Sequence, residues 1–252
     1  MHKKSFAFLI IIAYLFTISK AAVAALPEYY GSLQAPQVLN QVQFTDVGNH
    51  WAKGPILKMA AQGVIRGVGG NKYKPEDTLT KEQALILLLR SAGFGEAAEA
   101  KAEELAAASG QKPDSITGFA IQGYLNVAVE EAILNDGEAA ALQASRTKPA
   151  QRQEVAYWAS KALGLSPVYG VNQKLIYGFS DVNQFDARMV ASIEALLQEE
   201  LMSGTSSTTF KPQSSMKRGE MAALLDRIYP LLAEKQNLIL EKGVVVGKAT
   251  RL

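Results

Sequence analysis

Apolar residues return at helical spacing through most of the chain. Between Trp51 and Gly63, Ile56, Met59 and Ala60 share one face and predict a helix. Gly63 serves there as a stop or as a small residue for close packing. A second helix opens at Thr80 and runs through Ala84 to Leu89 as far as Gly93. An Ala/Glu-rich helical stretch follows from Glu96 to Ala108. Further on, Phe119, Tyr124, Ala128 and Ile133 mark another helix, and Gln151 to about Gly164 a second. The last pair is expected from about Phe185 to Met202 and from about Arg218 to Ile228, stopping before Pro230. From Asn237 to Val246 the composition shifts to strand–turn–strand. The expected fold class is all-α with a short strand-like tail.

The order of these elements repeats. Phe179-Ser180-Asp181-Val182 matches Phe44-Thr45-Asp46-Val47 at an offset of 135, and Phe210-Lys211-Pro212 matches Tyr73-Lys74-Pro75 at 137. Gly204 likewise matches Gly67. A degenerate middle copy keeps Pro149 and Gln151-Arg152-Gln153-Glu154 but lacks the Phe-x-Asp-Val run. The expected units are residues 43–95, 113–165 and 178–230, joined by a helical connector (96–112) and a linker (166–177). Each helix pair is too small to bury its own apolar face, so the copies are expected to pack on one another.

The N-terminus changes the charge reading. Met1-His2-Lys3-Lys4 precedes an apolar stretch of 14 residues, and Ala22-Val23-Ala24 offers an A-x-A cleavage pattern. That stretch falls short of the roughly 20 residues of a spanning helix, so residues 1–24 read as a secretory signal and 25–42 as a linker. The whole chain has a formal charge of +2. Cleavage removes Lys3, Lys4 and Lys20 but no acid, leaving 23 Lys+Arg against 24 Asp+Glu, or −1. A globally basic nucleic-acid binder is thereby disfavoured, as is stable membrane insertion once the signal is gone. With no cysteine, and only His50 after cleavage, thiolate metal sites and multi-histidine sites are excluded.

The helix openings carry the candidate chemistry. Thr80-Lys81-Glu82-Gln83 reads as a capping box, which accounts for Thr80 and Gln83. It does not account for a cation in the first turn, where the macrodipole favours acids. Lys81, Arg152 and Arg218 occupy this position in all three copies. There a cation and free helix amides would suit a ligand carboxylate. Asp46 and Asp181 either cap the following helix or accept from a ligand hydroxyl, and the structural role is favoured. Trp51, beside Ile56 and Met59, reads as a core residue in preference to a ligand-stacking one. Gly67 and Gly204 permit tight turns or close ligand approach, and sequence does not divide the two. His50 reads as a surface or capping residue.

The order F-x-D-V, a Trp or aromatic at a helix start, a Gly loop, F/Y-x-P and a T-R-A-E-like segment resembles the S-layer homology (SLH) family of bacterial cell-surface anchoring modules. The resemblance spans about residues 43 to 230. It implies three tandem helix-loop-helix repeats packed as a pseudo-threefold, three-pronged assembly. It also implies non-covalent attachment to peptidoglycan-associated secondary cell-wall polysaccharide, typically pyruvylated, in grooves between repeats. By position Lys81, Arg152 and Arg218 inherit the ligand-contacting role, with Asp46, Asp181, Trp51, Gly67 and Gly204 around them. Lys81 departs from the family's Arg, and Gln83 from its Glu, so the three grooves are not expected to bind equally. No cofactor or metal is implied, and the expected location is the cell wall or surface layer of a bacterium.

Two other classes compete. A glycoside hydrolase needs two carboxylates across a cleft, but Glu103/Glu104, Glu130/Glu131 and Glu199/Glu200 are sequence neighbours that diverge on a helix. The chain is therefore expected not to be an enzyme. An envelope structural, self-assembly or protein-tethering role is the stronger rival, with a surface-layer partner. Residues 231–252 are expected to be a C-terminal tail or the start of a further domain.

Overall fold

The computed structural model describes residues 44–111 and 118–241. The signal, the 25–42 linker and residues 242–252 of the tail lie outside the described residues. Eight helices form the described part: α1 Lys53–Ala61, α2 Lys81–Ser91, α3 Gly95–Ala108, α4 Phe119–Glu130, α5 Asp136–Ser145, α6 Arg152–Leu163, α7 Val190–Gln198 and α8 Arg218–Glu241. Among the described residues there is no strand, only isolated bridges. The fold is all-α, as the periodicity predicts.

The second helices of the three units begin where expected because their caps are local. Thr80 Oγ1 accepts from the Gln83 amide while Gln83 Oε1 accepts from the Thr80 amide. At α8, Glu220 accepts from the Lys217 amide, and at α6 Glu154 accepts from the Gln151 amide. The three pre-helix segments meet in a closed ring of backbone hydrogen bonds. Leu79 N donates to Met216 O at 2.9 Å, Met216 N to Ala150 O at 2.8 Å, and Ala150 N to Leu79 O at 2.9 Å. All three side chains are buried, so this polar ring sits inside the apolar core with its donors satisfied.

Helix α3 occupies the stretch read as a connector, but it is packed. Its Ala98, Ala102 and Ala106 form a buried stripe against α4. Gly123 of α4 is what allows the approach, since a Cβ there would lie 2.1 Å from Ala98 O and 2.7 Å from Ala102 N. Arg90 ties this pair to α2, donating to Tyr124 Oη at 2.9 Å and to Glu99 at 2.8 Å.

Three sequence expectations fail here. Pro230 does not end the last helix, and Asn237–Glu241 is helical where a strand was expected. Ile228, Tyr229, Leu232 and Ala233 continue one buried face across the proline, and that packing outweighs the lost amide and the β-leaning composition beyond it. Helix α7 is shorter than the expected Phe185–Met202, because the Asp186 carboxylate holds the Arg188 amide in a turn ahead of it. Helix α5 was not foreseen. Asn135 caps it in a reciprocal box with Glu138, in the place that the other two units give to the Gly loop.

Candidate functional site

The two Phe-x-Asp-Val segments build the same loop twice. Asp46 accepts from the amides of Tyr73 at 2.9 Å and Lys74 at 2.8 Å. Asp181 accepts from those of Phe210 at 3.0 Å and Lys211 at 2.7 Å. Lys74 and Lys211 take left-handed φ values of 56° and 59°, which turn two successive amides toward one carboxylate. The aspartates are therefore clamps on the F/Y-x-P turn; they do not cap the following helix. Burial pulls the Asp46 carboxyl up, but the Tyr73 and Lys74 amides, its own amide and Lys72 hold it below the usual value. Both glycines serve the adjacent ring. A Cβ on Gly67 would lie 2.7 Å from the Phe44 ring and 2.7 Å from Lys72 O. On Gly204 it would lie 2.6 Å from the Phe179 ring and 2.5 Å from Ser206 O.

The helix amides proposed for an anion are already used. Lys81 N donates to Lys148 O and Glu82 N to Arg146 O. Arg152 N donates to Ser214 O, Gln153 N to Pro212 O, Arg218 N to Asp77 O and Gly219 N to Pro75 O. Each second helix thus plugs its first two amides into the neighbouring unit, always in the same cyclic sense. An anion at these openings would meet side chains and not the free amides of an open helix end.

The side chains of the three cations meet different fates. Arg218 stands over the Tyr73 ring, 4.5 Å from its centroid, and donates to Tyr73 O at 2.8 Å and Arg66 O at 3.0 Å. Arg152 stands over Phe210 at 4.9 Å and donates to Ser203 O at 2.6 Å. Its side chain is only 9% exposed, with Glu220 Oε1 at 3.7 Å. Burial lowers its pKa and Glu220 opposes that. Lys81 has no ring beneath it among the described contacts and pairs with Glu154, the two side chains being 18% and 13% exposed. This pair lines a cavity of about 460 Å³ walled by α5, with Glu138, Tyr157, Trp158 and Arg188.

Around Arg218 gather residues of the first unit. Trp51 is 64% exposed, which overturns its reading as core. It stands 5.5 Å from the His50 ring. His50 Nδ1 accepts from the Ala52 amide two residues on, a local turn bond and not a cap on α1, and Nε2 donates to Glu76 at 2.8 Å. Lys217 pairs with the same Glu76. Gly219 makes room for this contact, since a Cβ there would come within 2.9 Å of the His50 ring.

Residues 43–85 and 178–222 match the S-layer homology domain. That domain is a non-catalytic cell-wall anchoring module, and the match points to attachment at the cell surface. The chain is also 24% identical over 201 residues to exoglucanase XynX of Acetivibrio thermocellus, covering 78% of this chain and 17% of that protein. To an amylopullulanase of Thermoanaerobacterium thermosulfurigenes it is 26% identical over 198 residues, 77% of this chain and 10% of that protein. The chain thus spans less than a fifth of the length of either curated relative. Among the described residues no helix is long and apolar enough to cross a membrane.

The SLH match covers both clamped loops. Asp46, Gly67 and Arg218 gather around Tyr73 and Phe44 at the first SLH loop, while Trp51 stands beside His50. Asp181, Gly204 and Arg152 come together at the other, and Lys81 stands apart against the middle unit. Sequence reading missed the partners Tyr73, Phe210, Glu154, Glu220, Glu76 and Lys217. The signal for two of them was present, since Glu154 and Glu220 hold the position that Gln83 holds in the first unit.

Proposed function

We propose that this chain anchors an exported bacterial protein to the cell wall. It does so by holding secondary cell-wall polysaccharide, in its pyruvylated form, in grooves between three SLH repeats, the middle one degenerate. The observation that carries this is Trp51. It is a large ring left in water beside His50, whose own ring bonds Glu76 and lies against Gly219 at the opening of α8. An exposed indole suits a sugar face, and a guanidinium at a neighbouring helix opening suits a carboxylate. The relatives' names concern polysaccharide-degrading enzymes, and a match confined to a small share of each fits a shared attachment part. The chain itself is proposed to be without catalytic activity.

Tethering of a protein partner is the second reading. Tyr169, Val171, Leu175 and Tyr177 favour it, being large, exposed and carried on one short segment. A pull-down separates the two. The purified chain without residues 1–24 is mixed with native sacculi, sacculi stripped of secondary polysaccharide, and depyruvylated sacculi. Binding to native sacculi alone is expected. Retention on the stripped material would overturn the polysaccharide reading.

A further inference from the structure

The stretch between the middle and third units is tied down on one side and bare on the other. Glu194 is fully buried, and its carboxylate accepts from Leu175 N at 3.1 Å, Ile176 N at 2.8 Å and Gln198 Nε2 at 2.9 Å. Among the described residues no cation pairs with it. Gln198 Nε2 also donates to Asn172 O at 3.0 Å, Gln173 Nε2 to Val168 O at 3.0 Å, and Val168 N to Ala191 O at 2.9 Å. Ile176, fully buried, is the apolar peg. A buried carboxylate without a cation is costly, and what this one secures is the backbone of a surface segment. That segment presents Tyr169, Val171, Leu175 and Tyr177 to water, at 71%, 90%, 46% and 63% exposure. The ordering that a docking surface requires is therefore in place before a partner arrives.

Size and charge decide which partner fits. The four side chains leave about 500–600 Å² in water, at the upper end for the largest patch of a monomer. Two such faces matched across a twofold axis bury about 1,000 Å² in total, where specific interfaces begin. The rim carries both signs. Lys174 lies within the segment, and Glu199 and Glu200 directly follow Gln198, which holds Asn172. All three are exposed and, among the described residues, in no ion pair. In a twofold contact, when one residue meets a second, the second also meets the first. Lys174 of each copy can then face Glu199 and Glu200 of the other around an uncharged centre. We propose that this face binds a second copy of the chain, giving a weak twofold dimer. The dimer is one form of the tethering reading above and does not rest on the polysaccharide reading.

Sedimentation velocity of the chain lacking residues 1–24, from about 1 to about 300 µM, tests it. Monomer at the dilute end and dimer at the concentrated end are expected, with a Kd on the order of 10–100 µM, since the buried area is at the lower limit. Val171→Asp sets a charge at the centre of the face and should abolish the dimer. Its melting temperature should hold, because Val171 is 90% exposed. Lys174→Glu should weaken association about tenfold or more, and adding Glu199→Lys and Glu200→Lys to the same chain should restore it. A chain that stays monomeric throughout would overturn the inference, as would a dimer indifferent to Val171→Asp. Failure of the combined reversal to restore association would overturn the twofold charge match. A chain that stays monomeric yet binds native sacculi overturns the dimer and leaves the anchoring reading standing.

Discussion

Replacing Asp46 by Asn probes the loop clamp with almost no change of shape. The carboxylate accepts from Tyr73 N at 2.9 Å and Lys74 N at 2.8 Å. An amide side chain keeps one acceptor and turns an NH₂ toward the other backbone donor. The loss is one hydrogen bond to a charged group, about 1.5–3 kcal/mol, and partial access of water puts the expected cost near 2 kcal/mol. For a body of this size that corresponds to a fall in Tm of about 4–8 °C. Thermal and urea unfolding followed by circular dichroism at pH 7 measure it. The pH dependence makes the test specific. The folded Asp46 carboxyl titrates below its ordinary value of 3.8 because the loop amides outweigh its burial. Its contribution is fully present above that ordinary value and is lost as pH falls through the lower folded one. Asn does not titrate, so the gap between variant and wild type should close in acid. A gap under about 0.5 kcal/mol at pH 7, within the range of ordinary surface substitutions, would refute the clamp. So would a gap that persists unchanged in acid.

Two further perturbations follow from the packing. Gly123→Ala sets a methyl 2.1 Å from the Ala98 carbonyl oxygen, so α3 must shift. A destabilisation of about 3 kcal/mol is expected in urea unfolding, at the upper end for overpacking. At the alkaline end, burial is the main cause that pushes Tyr73, Tyr124 and Tyr157 up to about 12. Unfolding releases their protons from about pH 10 upward, so stability should fall as pH rises from about 10 to 12. Ultraviolet titration should show these phenols ionising late, and Tyr124→Phe should flatten part of the stability decline.

The helices were legible because their signals are local. Thr80, Ala84, Leu85, Leu88 and Leu89 carry both a cap and a period, and α2 begins and ends within two residues of expectation. The recurrence of Phe-x-Asp-Val was legible too, but its role was not. Whether Asp46 clamps a loop or caps a helix depends on the left-handed φ of Lys74, 28 residues away. Trp51 was misread because helical spacing says which face a residue lies on, and its neighbours Ile56 and Met59 are fully buried. The indole lies just before the helix proper, outside that period. Pro230 was misread for the opposite reason, since a strong local breaker lost to the packing of Leu232 and Ala233.

The ring of backbone hydrogen bonds explains where the middle segment resembles the other two and where it differs. Ala150 supplies both a donor and an acceptor to that ring, and without it Leu79 and Met216 would each lose a buried partner. The segment Pro149–Gln151 and the helix opening behind it are thus held in place by the other two units. The Phe-x-Asp-Val clamp carries no such obligation, because it only shapes its own loop. Helix α5 can replace that loop provided its end still delivers Arg146 O and Lys148 O to the amides of Glu82 and Lys81, as it does. The replacement also changes what lies beneath the helix-opening cation. The rings beneath Arg218 and Arg152 come from the F/Y-x-P turns of the first and third units, and α5 offers no equivalent ring to Lys81. A bare lysine without an aromatic platform is left to Glu154, so the absence of the loop in the middle unit and the pairing of Lys81 with a carboxylate belong to one arrangement.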